Sequence, residues 1–256
     1  MLSATLALSN CAAMMLISLS ILEYERELLH HLDDLTRSKA FSQIIRLIQT
    51  GKIHAVHVDV MRPPMIPDKT TFPVDLIEKV YGELHERIPL VVHLMVEEPF
   101  LIVSKINEFA DEKERREMTI IIQVESFGSE EETVKALNRL RRYGYNAGIC
   151  LNLPTARETL TPKIVESVDV VLLMSVPMGR GGQEYSQEAT DRICYFSRMF
   201  PGKALQVDGG IDQQTIAIAA EAGAKIAVVG SFITRADDPV KAILELERSL
   251  RDDRSV

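Results

Sequence analysis

Two spacings of apolar residues alternate along the chain. Short runs rich in Val, Ile and Leu occupy 14–21, 53–60, 90–96, 119–124, 147–151, 168–176, 204–207 and 226–229. Between them lie amphipathic stretches that carry the charges, at 25–49, 74–86, 99–110, 130–143, 162–167, 188–200 and 213–222, with a last one at 239–250. Runs that are apolar on both faces suit parallel strands covered by helices, and the longer stretches suit those helices. Eight such βα units in about 250 residues predict an α/β fold of the single (β/α)8 TIM-barrel type, with a doubly wound open sheet as the competing arrangement. No Gly-, Ser- or Pro-rich linker interrupts the rhythm, so 1–256 reads as one domain, with 1–13 as an N-terminal extension. The charge run Asp111–Glu117 reads as a solvated helix end and loop at the barrel's bottom, and Arg251–Arg254 as a frayed tail.

Composition narrows the classes of function. The chain has 256 residues, 46% hydrophobic and 26% charged, which is the balance of an ordered globular protein. Its 37 acidic against 29 basic residues give a net charge of −8, which argues against a general nucleic-acid binder, because neutralising a run of phosphates needs a clustered positive field. One small phosphorylated ligand needs only a few local donors and stays open. The 5% aromatic content and absent Trp weigh against a surface that stacks bases or sugars. Cys11, Cys150 and Cys194 are odd in number and far apart, with no Cys-x-x-Cys spacing, so a reducing cytoplasm is expected. Residues 1–22 carry no charge, but Ser3, Thr5, Ser9, Asn10, Ser18 and Ser20 interrupt the stretch and no Lys or Arg precedes it. We read it as no signal or membrane anchor, and Met14–Ile21 as a buried strand.

In a parallel barrel the active site lies at the C-terminal strand ends, so polar residues there carry weight. His57 and Asp59 sit two apart near the end of the second run and so face the same side of it. His93 stands inside the third run and Asp208 closes the seventh. A single His in an apolar strand is more often a hydrogen-bonded core residue, and a single Asp at a strand end is often a helix cap. Two imidazoles and two carboxylates converging on one mouth instead form a mixed N/O set for one divalent transition metal such as zinc, iron(II) or manganese. His30, His31, His54 and His85 read as structural or solvent-facing. Glycines then mark three consecutive loops: Gly179, Gly181 and Gly182 around Arg180, Gly209-Gly210, and Gly230 before Ser231. Glycine lets backbone N–H groups approach a phosphate closely, although tight turns alone would explain any one of the three.

The segments His57-Val58-Asp59-Val60-Met61, Val92-His93-Leu94-Met95-Val96, Leu173-Met174-Ser175-Val176 with Gly179-x-Gly181-Gly182-Gln183, and Val207-Asp208-Gly209-Gly210-Ile211 resemble, in order and spacing, the ribulose-phosphate 3-epimerase family. The resemblance runs from Ser20 to Ser231. It implies a cytoplasmic, homo-oligomeric isomerase of the pentose phosphate pathway, with one metal on His57, Asp59, His93 and Asp208. It also implies that Asp59 and Asp208 are the acid and base that epimerise C3 of a ketose phosphate. Ser20, His93, Met61, Met95, Met174 and Gly179 match substrate-contacting residues, and Gly181, Gly182, Gly209, Gly210, Gly230 and Ser231 match those around the phosphate. D-ribulose 5-phosphate to D-xylulose 5-phosphate is the expected reaction. A six-carbon ketose phosphate such as allulose 6-phosphate, a non-catalytic phosphosugar-binding barrel, and a metal-independent decarboxylase or biosynthetic isomerase are the alternatives. The chain departs from the family at Arg62-Pro63-Pro64, at Pro177-Met178 and Arg180, and at Asn152-Leu153-Pro154-Thr155, loops that would judge the sugar's length and stereochemistry.

Overall fold

The apolar runs become the staves of one barrel. The computed structural model describes residues 15–252. Its strands are β1 Leu16–Ser20, β2 Ile53–Met61, β3 Leu90–Met95, β4 Met118–Gln123, β5 Asn146–Leu151, β6 Val170–Met174, β7 Ala204–Asp208 and β8 Ile226–Val229. Each pairs in parallel with the next and β8 pairs with β1, so the sheet closes and the open-sheet alternative is excluded. The extension expected over 1–13 and the end of the tail from 253 lie outside the described residues.

Alternate residues of each strand serve two different layers, as the period of two requires. Val56, Val58 and Val60 on β2, Val92 and Leu94 on β3, and Ile120 and Ile122 on β4 point outward into a cluster shared with the helices. Ala55, Val91, Ile121, Cys150, Leu172 and Val228 point inward and pack against one another. Gly148 shows how full that interior is: a Cβ there would sit 2.6 Å from Ile121 Cγ1 and 2.9 Å from Val170 Cγ1. The inward positions at the strand ends are instead polar, and Ser20, His57, Asp59, His93, Gln123 and Gln206 are all buried.

The helices are α1 Glu25–His30, α2 Lys39–Gln49, α3 Val74–Leu84, α4 Pro99–Phe109, α5 Glu130–Arg142, α6 Pro162–Glu166, α7 Gln187–Met199, α8 Gln213–Ala222, α9 Ser231–Thr234 and α10 Pro239–Asp252. Local chemistry sets their ends. Ser129 caps α5, whose first turn is acidic and last turn basic, in line with the helix dipole. Asp212 and Thr215 form a capping box on α8, and Gly223, at φ 109°, ends it.

One expectation needs correction. The stretch 25–49 is not one helix: the Asp34 carboxylate accepts from Thr36 N–H, a short 3-10 turn follows, and Ser38 recaps the chain as α2. Asp and Ser side chains compete for backbone N–H groups and break the helix that the apolar spacing alone suggests. The run Asp111–Glu117 is a mostly exposed loop and 3-10 turn before β4, as expected, and within it Arg115 donates to the carbonyls of Ala110, Tyr143 and Asn107 and ties α4 to the end of α5. Among the described residues, no helix is long and apolar enough to cross a membrane.

Candidate active site

The four residues picked out as metal ligands meet at the C-terminal end of the barrel. Register places Asp59 beside His93 and Ser20 beside His57, while Asp208 pairs with Met174 across the sheet. One ligand atom from each of His57, Asp59, His93 and Asp208 lies within 4.8 Å of all the others. Asp59 is the hub: its Oδ1 is 3.3 Å from both His57 Nε2 and His93 Nδ1, and its Oδ2 accepts from the Ser20 hydroxyl at 2.8 Å. The imidazoles stand edge to face, with centroids 5.6 Å apart.

The donor set fits a divalent transition metal. Ligand atoms about 2 Å from one ion lie roughly 3–4 Å from each other, and the cluster is already near that spacing. Despite its proximity to Asp59, His57 Nε2 is buried without a hydrogen-bond partner, a cost that ligation would remove. Two carboxylates and two neutral imidazoles match a divalent charge.

The two carboxylates sit in opposed electrostatic settings. Burial opposes ionisation of Asp59, but His57 and His93 beside it outweigh that and hold its carboxyl far below the usual range. For Asp208, burial first and the neighbouring Asp59 charge second push the pKa up to about 7. Burial alone would lower His57, yet Asp59 and Asp208 raise it above the ordinary value, whereas burial prevails at His93 and lowers it. Such divergence between neighbouring acids separates a proton donor from a proton acceptor.

Above the cluster opens a cleft at the mouth of the barrel. Ser20, Met61, Met95, Met174, Gly179, Gly181, Gly182, Gly209, Gly210, Gly230 and Ser231 all line it, with Asp59 and Asp208 at its floor. His57 and His93 are fully buried beneath it and do not line it. The glycine loops lie at one end. Gly210, at φ 60°, runs against the backbone of the strand-6 loop, where a Cβ would be 2.4 Å from Tyr185 N, so only glycine permits the approach. Ser175 fixes the neighbouring strand end by donating through its N–H to the Asp208 carbonyl (2.8 Å) and through its hydroxyl to the Gly209 carbonyl (2.5 Å).

Several lining and supporting residues carry no signal in the sequence. Glu23 lines the cleft and is bonded to Arg235, whose guanidinium packs on Gly182; the two are 212 positions apart, so no local pattern joins them. Arg180, one of the departures from the family, is exposed yet lines the cleft. The divergent Arg62 does not point at the ligands. It donates to the carbonyls of Met61, Thr71 and Phe72, and the Phe72 N–H donates to Glu25 at 2.6 Å. Within the loop so fixed, Ile66 lies against Gly179, bringing the strand-2 and strand-6 loops together over the mouth.

The sequence pattern described as the ribulose-phosphate 3 epimerase family matches residues 36–234. A ribulose-phosphate 3-epimerase of Bacillus subtilis is 28% identical over 215 residues, covering 82% of this chain and 93% of its own. One from Helicobacter pylori is 33% identical over 196 residues, covering 75% and 84%. Among solved structures, 3-hexulose-6-phosphate synthase from Salmonella typhimurium superimposes with a TM-score of 0.62 at 16% identity, covering 93% of this chain and 100% of that one, a likeness of fold alone.

Proposed function

The chain belongs to the ribulose-phosphate 3-epimerase family, a family of isomerases, and we propose that it interconverts D-ribulose 5-phosphate and D-xylulose 5-phosphate by inverting C3. The observation that carries this reading is the pair Asp59 and Asp208: two carboxylates from β2 and β7, with opposed proton affinities, at the floor of one cleft. A substrate whose C3 lies between them loses a proton to one and receives a proton on the opposite face from the other, so the configuration inverts. The direction of reaction decides which is base and which is acid. The Ser20 hydroxyl holds Asp59 in place from the side opposite the histidines.

His57, Asp59, His93 and Asp208 would hold one divalent transition metal. Such an ion supplies positive charge that stabilises an enediolate, whose parent C–H is otherwise too weak an acid for a carboxylate. Met61, Met95 and Met174 give the reacting carbons an apolar, polarisable wall that excludes water. The backbone of Gly209, Gly210 and Gly230, with Ser231, receives the phosphate, and the loop bearing Gly181 and Gly182 closes over it. This local polarity offsets a net charge of −8 for an anionic substrate. Free Cys150 and Cys194 agree with a reducing cytoplasm as its setting.

The test is turnover of metal-stripped protein before and after zinc, iron(II) or manganese is restored, on five- and six-carbon ketose phosphates compared by kcat/KM. The proposal expects metal-dependent turnover with ribulose 5-phosphate preferred. Preference for a six-carbon ketose phosphate would transfer the assignment to that sugar, and turnover indifferent to metal would refute the mechanism.

A further inference from the structure

Two glutamines inside the barrel serve neither the cleft nor simple packing. Gln123 ends β4 and Gln206 lies two residues before Asp208 on β7; they are 0% and 2% exposed. A buried amide is costly unless it is hydrogen-bonded. Each one lies against a candidate metal ligand. Gln123 Nε2 is 2.8 Å from His93 Nε2, and Gln206 Nε2 is 3.4 Å from His57 Nδ1. The opposite ring nitrogens, His93 Nδ1 and His57 Nε2, are those that face Asp59. Each imidazole is thus held between a glutamine and the donor cluster.

A ligating imidazole is neutral, with its lone pair on one nitrogen and its hydrogen on the other, and that hydrogen needs an acceptor. An amide can meet either demand, since a half-turn of its last torsion exchanges NH2 for C=O. With the carbonyl turned to the ring, Gln123 Oε1, which is buried without a partner, accepts from His93 Nε2–H. Gln206 Oε1 accepts from His57 Nδ1–H in the same way.

We propose that Gln123 and Gln206 are positioning residues that hold His93 and His57 as the tautomers with lone pairs on Nδ1 and Nε2, aimed at the metal. The inference rests on the reading of this cluster as a metal centre, and it names the groups that hold each ligand's tautomer.

Zinc is the probe. Metal-stripped full-length protein and its Gln123→Met, Gln206→Met and Gln123→Glu variants are titrated with zinc against a competing chelator, and long-range ¹H–¹⁵N spectra of the zinc-loaded forms assign the ring protons. We expect wild type with the proton on His93 Nε2 and His57 Nδ1, each Met variant weakened by about 10–100-fold, and Gln123→Glu restored because it returns an acceptor. Ligation through the other ring nitrogens, or Met variants that bind zinc as tightly as wild type, would overturn the inference while leaving the metal centre standing. A wild type that takes up no zinc would instead overturn the metal-centre reading and this inference with it. The wild-type spectrum needs no variant, so a variant that misfolds leaves the test decisive.

Discussion

Asp59 and Asp208 are the same residue type a few ångströms apart, and their surroundings make them chemically different. Asp59 is surrounded by two imidazoles and a serine hydroxyl, while Asp208 has burial and a like charge against it. Replacing Asp208 by Asn keeps the shape and removes the proton exchange, so epimerisation should fall by about 10²–10⁴-fold in a steady-state assay, with the fold retained by circular dichroism. The same settings predict how metal uptake depends on pH. Asp208 holds its proton up to about pH 7, and His57 is raised above its ordinary value, so an incoming ion displaces protons from both below neutrality. Affinity for zinc should therefore climb by about tenfold or more per pH unit from pH 5.5 toward 7, then level off at higher pH. Chelator competition at four pH values checks this, and an affinity flat across that range would contradict it.

At the scale of elements, the site is a property of strand ends and of what pins them. Thr71, in the loop after β2, donates its hydroxyl to the Asp59 carbonyl at 2.6 Å and accepts from Met61 N–H at 2.9 Å, clamping the backbone on both sides of Val60. Thr71→Val keeps the shape and orphans both backbone groups. It should cost about 1–3 kcal/mol in chemical denaturation and lower kcat more than it raises KM, because Asp59 moves while the glycine loops do not. The strands and their alternation are legible in the sequence because each needs only a local run of apolar residues, and the four candidate ligands are legible because polar residues break those runs at one end. Gln206 was equally open to view, two positions from Asp208 and so on the same face of β7. Gln123 also breaks an apolar run, but an amide looks like a strand terminus until the ring beside it is seen. The clamp of Arg62, Thr71 and Glu25 and the pair of Glu23 with Arg235 join residues far apart in sequence, and only the closed barrel brings them together. The break between α1 and α2 was hidden because apolar spacing continues across Asp34 while the capping side chains interrupt the backbone.

The whole molecule divides its interior by height: apolar side chains fill the lower barrel, and a polar layer beneath the cleft concentrates charge where water is excluded. A metal that binds the folded cluster and not the unfolded chain should stabilise the entire fold. With zinc at about 100 times its Kd, linkage gives roughly 2.7 kcal/mol, or about 5–10 °C in Tm for a domain of this size, measurable by calorimetry with and without chelator. The central claim, that Asp59 and Asp208 exchange the proton at C3 of a ketose phosphate with a metal bound beside them, is tested most directly by incubating ribulose 5-phosphate with the protein in D₂O. The account predicts deuterium at C3 with metal-loaded wild type, and none with metal-stripped protein. Deuterium entering C3 at the wild-type rate after the metal is stripped would contradict it.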